Sequence, residues 1–165
     1  MAEPSDDAHS LQVGLLFGTT SGIITTLGLV TGLAAGTESR LAVIGGVLTI
    51  AVADAMSDAL GIHVSEEAEG VHSEREIWTA TLTTFASKFL TAATFLVPVL
   101  LLELKTAVWA SIAWGALVLA VMSYFVARSQ RARPLWVILE HLFIAAVVVA
   151  ITHYLGEWVH YSLLE

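Results

Sequence analysis

Two aspartates four residues apart, Asp54 and Asp58, stand in a run of small and apolar residues, and Lys88 stands in another such run. On a helix that spacing puts both carboxylates on one face. So placed, they form a hard oxygen pair suited to a divalent cation such as Mn²⁺, Fe²⁺ or Mg²⁺, or to a proton relay. Lys88 would hold the pair when it is empty. The same three residues also suit a buried salt bridge that only fixes helix register, since buried charges usually pair. A second group lies just beyond. Glu66, Glu67, Glu69, His72, Glu74 and Glu76 fall within twelve residues, with Met56 and His63 leading up to them from the aspartates. If a helix continues there, Glu66 and Glu69, and Glu69 and His72, are one turn apart. Carboxylates with imidazoles are ligands for Fe²⁺, Mn²⁺ or Zn²⁺. The plainer reading is a solvated acidic link. His141, His153 and His160, each alone, read as packing or interface histidines.

The elements that must position these groups follow from composition. The chain has 165 residues, 56% hydrophobic and 13% charged. Soluble domains carry about 25% charged residues, and so small a chain could not hide the surplus apolar surface in one core. An integral membrane protein is the reading that remains. With 7 basic against 15 acidic residues, the net charge of −8 excludes nucleic acid as a partner. There is no cysteine, hence no disulfide, thiolate ligand or cysteine nucleophile.

A membrane helix needs roughly 20 mostly apolar residues, and five segments qualify: 11–35, 41–64, 77–102, 106–127 and 135–158. The expected architecture is an all-α bundle of five transmembrane helices, with 11–165 as one membrane domain and 65–76 as its acidic cytoplasmic link. Residues 1–10 hold Glu3, Asp6 and Asp7 and no basic residue, so they are not a signal peptide; this stretch is expected to be mobile. If the N-terminus is cytoplasmic, that side receives Arg75, Arg128, Arg131 and Arg133, and the other only Arg40 and Lys105. That bias favours N-in, C-out.

The first segment carries Gly14, Gly18 and Gly22, then Gly28, Gly32 and Gly36, each row at four-residue spacing. Such rows let another backbone approach closely. Tight packing inside the bundle, a subunit interface and a pore-lining helix all use them.

Two stretches are similar to a known family. Leu16-Phe17-Gly18-Thr19-Thr20-Ser21-Gly22-Ile23-Ile24-Thr25-Thr26, running on to Gly36, resembles the first helix of the vacuolar iron transporter (VIT) family, F-G-x-x-D-G-[LI]-x-[ST]. Ala53-Asp54-Ala55-Met56-Ser57-Asp58-Ala59-Leu60-Gly61-Ile62-His63-Val64-Ser65 resembles its second-helix motif, A-G-A-x-S-M-A-x-G-E-Y-x-S. Pro98 falls where the family carries a proline late in the third helix. The departures are specific. The family's first-helix aspartate falls on Ser21, its second-helix methionine on Asp58, its glutamate and tyrosine on Ile62 and His63, and a glycine on Asp54. The long metal-binding hairpin of plant members is reduced to Glu66–Glu76.

The resemblance implies a homodimeric, VIT-like transporter that exports a divalent cation, Fe²⁺ or Mn²⁺, from the cytoplasm, with proton exchange. Asp54, Asp58, Lys88, Ser21, Thr25 and Met56 would line the path. Asp54, Asp58, His63, Glu66, Glu67, Glu69, His72, Glu74 and Glu76 would be the metal ligands. No tightly bound cofactor is expected, only the transported ion, and the lipid bilayer is the other partner. The lack of cysteine and the short loops point to a prokaryotic inner membrane. Two rivals remain: a non-transporting membrane partner with a structural Asp–Lys network, and a transporter of a non-metal substrate. No enzyme is expected, since H-E-x-x-H, G-x-S-x-G and phosphate-loop patterns are all missing.

Overall fold

The computed structural model describes residues 6–164, and these are almost wholly helical. The helices are α1 (Asp6–Thr37), α2 (Arg40–Glu69), α3 (Glu74–Thr94), α4 (Leu96–Leu101), α5 (Leu104–Ser129) and α6 (Pro134–Leu164). Counting α3 and α4 together, five stretches are long and apolar enough to cross a membrane. The helices outrun the apolar windows. Residues 6–10, expected in a mobile N-terminal stretch, are part of α1; residues 1–5 of that stretch lie outside the described residues. The acidic segment 65–76 is also mostly helix, with Glu66, Glu67 and Glu69 on the end of α2 and Glu74 and Glu76 at the start of α3.

The connections are short because each carries its own stop and start signal. After α1, Glu38 takes a left-handed turn (φ 50°), and Ser39 Oγ accepts the Ala42 amide at 3.3 Å to start α2. After α2, Gly70 supplies the left-handed turn (φ 67°) at no steric cost. Ser73 then caps α3 in a capping box. Its amide and hydroxyl both donate to Glu76 Oε2 at 2.6 Å, while Ser73 Oγ accepts the Glu76 amide at 3.4 Å. The third span breaks at Phe95. Pro98 has no amide hydrogen for the Thr94 carbonyl, which separates α3 from α4. After α5, the Arg131 and Ala132 amides donate to Arg128 and Ala127 carbonyls, with Arg131 left-handed at φ 55°.

The chain divides into two compact units. The first holds the chain up to Gly22 and Leu48–Thr94; the second holds Ile23–Val47 and everything from Phe95 onward. In the first unit the leading glycine row of α1 packs on α3. A Cβ on Gly14 would lie 2.6 Å from the Ala80 carbonyl oxygen, and one on Gly18 would lie 2.5 Å from that of Thr84. Ser87 Oγ donates to the Gly14 carbonyl at 3.0 Å across this contact. In the second unit the later row meets α6, where Gly28 and Gly32 face Thr152, and Gly36 faces Gly156. Thr31 Oγ1 and Thr152 Oγ1 are 2.8 Å apart there, and His160 Nδ1 donates to the Gly36 carbonyl at 3.2 Å. The core of the second unit is built from Ile23, Leu27, Phe95, Leu119 and Ala145, and from Val30, Val43, Val47, Val99 and Ala107. Both glycine rows are therefore used for packing within the chain.

Candidate ion site

The close approach of α1 to α3 sets the depth at which their polar groups meet. Gly18 and Gly22 pack against the α3 backbone at Thr84 and Lys88. Ser21, between them in sequence, comes to lie beside the lysine. Lys88 is the largest fully buried side chain among the described residues, only 1% exposed. Its Nζ donates to Asp58 Oδ2 at 2.5 Å and to Ser21 Oγ at 3.0 Å. Ser21 Oγ in turn donates its own proton to Asp58 Oδ2 at 2.6 Å. Asp54 Oδ2 completes the group, 2.6 Å from Nζ. The Asp54 contact is of a different kind: its angle is not that of a hydrogen bond, and this buried oxygen accepts none. The side chains of Asp54 and Asp58 are 30% and 21% exposed. Two carboxylates and one ammonium leave a net charge of −1 at membrane depth.

Of the expected path residues, Asp54, Asp58, Lys88 and Ser21 are thus brought together. Met56 is not. Two positions from either aspartate on α2, it turns to the opposite side and is 57% exposed. Thr25 is half-buried on α1 and belongs to the second unit.

The expected metal ligands separate into smaller groups. His63 is engaged with α3. The one proton of Thr81 Oγ1 goes to the Ile77 carbonyl at 2.7 Å, so this hydroxyl accepts from His63 Nδ1 at 3.0 Å. The imidazole also meets Trp78 edge-on, ring centres 4.8 Å apart. His72 Nε2 lies 3.3 Å from Glu69 Oε2 and 3.4 Å from Glu66 Oε2, and Glu66 is only 8% exposed. Glu76 is committed to the α3 cap, while Glu67 and Glu74 face outward. Among the described residues no three His, Cys, Asp or Glu side chains are already arranged to hold a metal ion. Thr81, unremarked in the sequence, had one readable signal: it precedes Lys88 by seven residues and so shares its face of α3.

A model of the VIT family matches residues 63–157, more than half of the chain. The match starts at His63, so it rests on the end of α2 and on α3 through most of α6, and of the two motif stretches that carry the resemblance it includes only His63, Val64 and Ser65. Comparison with curated proteins and with solved structures gave no match. With five helices fit to cross a membrane and its later helices matched in order, the chain belongs to the VIT family, and that membership implies membrane transport of metal ions.

Proposed function

We propose that the chain exports a divalent cation, Fe²⁺ or Mn²⁺, from the cytoplasm as a homodimer in exchange for protons, through a site built on Asp54 and Asp58. The observation that carries this reading is the pair itself, with both Oδ2 atoms aimed at one buried point between α2, α3 and Ser21 of α1. An ionisable group at membrane depth costs about 2.5–3.5 kcal/mol to insert, and three such groups drawn to one point suit a path better than a packing accident. Hard oxygen donors favour Mn²⁺ and Fe²⁺ over soft ions. Glu66, Glu67, Glu69, Glu74 and His72 would gather the ion at the cytoplasmic end, where negative charge raises the local cation concentration. The arginine bias supports placing that end, and the N-terminus, in the cytoplasm of a prokaryotic inner membrane.

The test is uptake of Fe²⁺, Mn²⁺, Co²⁺ and Zn²⁺ into proteoliposomes holding the purified protein, with internal pH recorded. Asp54→Asn and Asp58→Asn run beside wild type. Flux in wild type and its loss in both variants is the expected result, and pH movement reports proton exchange. No flux of any ion from folded protein overturns the reading. One observation favours a second reading, a structural membrane partner: Lys88 already meets both carboxylates and Ser21. Joint neutral replacement of Asp58 and Lys88 separates the two, because packing should survive it and transport should not.

A further inference from the structure

The carboxylate oxygens best placed for an ion are already taken. Asp54 Oδ2 and Asp58 Oδ2 both face Lys88 Nζ, at 2.6 and 2.5 Å, and Ser21 Oγ stands at 3.0 Å. Three oxygens at these distances around one positive nitrogen form a cation-coordinating shell with an ammonium at its centre. A divalent ion bound to the same two Oδ2 atoms would need metal–oxygen distances of roughly 2.0–2.2 Å. It would then compete with Nζ for the same volume and the same lone pairs. Ion and ammonium exclude each other.

We propose that Lys88 is a tethered cation that occupies the intramembrane ion site at rest, and that the transported ion binds only by displacing it. This rests on the reading of Asp54 and Asp58 as the ion-binding pair. The geometry gives the displacement a starting point and an end. Asp54 is the more exposed carboxylate, and its Oδ2 is held by charge contact without a hydrogen bond. An arriving cation therefore reaches the Asp54 side chain first, and the contact of its buried Oδ2 with Lys88 has no hydrogen bond to break. At the other end is Thr84, one turn before Lys88 on α3, fully buried and with no partner for its Oγ1. Helical side chains lean toward the preceding turn, and the lysine stem has four rotatable carbons. Thr84 Oγ1 is thus an open acceptor on the side to which the ammonium withdraws. The return of the ammonium to the two carboxylates then expels the ion.

The experiment is Mn²⁺ binding to the full chain in lipid nanodiscs at fixed pH, read from the spin-resonance signal of free Mn²⁺, beside Mn²⁺ flux in proteoliposomes. Lys88→Met should bind Mn²⁺ about ten- to a hundredfold more tightly than wild type, the usual span of a coupling between two competing occupants. Its maximal flux should fall, because nothing drives the ion out. Adding Asp54→Asn and Asp58→Asn should abolish the tight binding. Lys88→Gln keeps amide donors for Asp58 and Ser21 without the charge, and should shift affinity the same way if the methionine variant does not fold. Thr84→Val should raise the half-saturating Mn²⁺ concentration several-fold while leaving the resting contacts intact; an unchanged value overturns the withdrawal onto Thr84. Folded Lys88 variants that bind Mn²⁺ no better than wild type overturn the tethered cation. If in that case Asp54→Asn and Asp58→Asn still stop wild-type flux, the carboxylate site stands without it. If those two variants leave wild-type flux untouched, the ion-site reading fails and the tethered cation with it.

Discussion

The same substitution at two glycines of one unit should have opposite effects. Gly18 on α1 and Gly61 on α2 are both helical, so replacement by alanine brings each the same intrinsic gain, about 0.8–1.0 kcal/mol. Their surroundings differ. A Cβ at Gly61 meets nothing within 4 Å, whereas one at Gly18 would lie 2.5 Å from the Thr84 carbonyl oxygen, 3.1 Å from the Lys88 amide nitrogen, and against Ser87 Oγ. Two of those three are backbone, which cannot swing aside as a side-chain tip can. To reach an ordinary carbon–oxygen contact near 3.5 Å, α1 must move away from α3 by most of an ångström. Overpacking of this kind costs about 1–3 kcal/mol. Gly61→Ala should therefore stabilise the protein by up to about 1 kcal/mol, and Gly18→Ala should be destabilised relative to it by about 1–3 kcal/mol. Function should respond more sharply than stability. The displacement falls three residues before Ser21, whose bonds to Lys88 and Asp58 are 3.0 and 2.6 Å long and would not survive it. Denaturant unfolding of the two variants in the same micelles measures the stability difference, and Mn²⁺ flux measures the site. If Gly18→Ala is as stable as Gly61→Ala and transports at the wild-type rate, the claim that the glycine row sets the α1–α3 distance is refuted.

The two aspartates should differ in what they contribute to stability. Asp58 accepts hydrogen bonds from both Lys88 and Ser21, so Asp58→Asn breaks a buried pair and should cost about 3–5 kcal/mol. Asp54 is more exposed and accepts no hydrogen bond at Oδ2, so Asp54→Asn should cost less than Asp58→Asn. Adding Lys88→Met to Asp58→Asn should recover most of the loss in a double-mutant cycle, and equal costs for the two asparagine variants would contradict the geometry. At the acidic end, Ser73→Ala removes the hydroxyl half of the α3 cap and should cost about 1 kcal/mol. It should speed amide exchange over the first turn of α3 and leave flux unchanged; a flux loss would mean that Ser73 serves more than the cap.

How much of this was legible beforehand differs between fold and site, for physical reasons. Five spans can be read from composition, because hydrocarbon of fixed thickness demands long apolar runs. Helix ends cannot be read that way. Polar residues such as Asp6 or Glu69 continue a helix at no cost once it leaves the hydrocarbon, so α1 and α2 outrun their apolar windows. The i, i+4 spacing placed Asp54 and Asp58 on one face from local geometry alone. Met56, two residues from each, had to fall on the other side by the same rule. Meeting Lys88 is a different matter, because which face of α3 turns toward α2 depends on tertiary packing that no local period encodes. The acidic segment misleads for a related reason. Charge counting treats Glu76 as one more ligand, while the S-x-x-E pattern at Ser73 already assigns it to a cap.

The glycine row connects the two levels. It was visible as a pattern, but its meaning required knowing its partner. Once Gly14 and Gly18 are seated on α3, the register between the two helices is fixed by backbone contact rather than by adjustable side chains. Ser21 then has one possible depth, and that depth is the lysine's. The resemblance puts a first-helix aspartate at the position of Ser21, and the surroundings of Lys88 show what the hydroxyl does there. A third carboxylate at that position would raise the local charge from −1 to −2 around the same ammonium. Serine instead accepts from Lys88 and donates to Asp58, and so closes the group without adding charge. The row that holds α1 against α3 thus positions a hydroxyl to bridge Asp58 and Lys88.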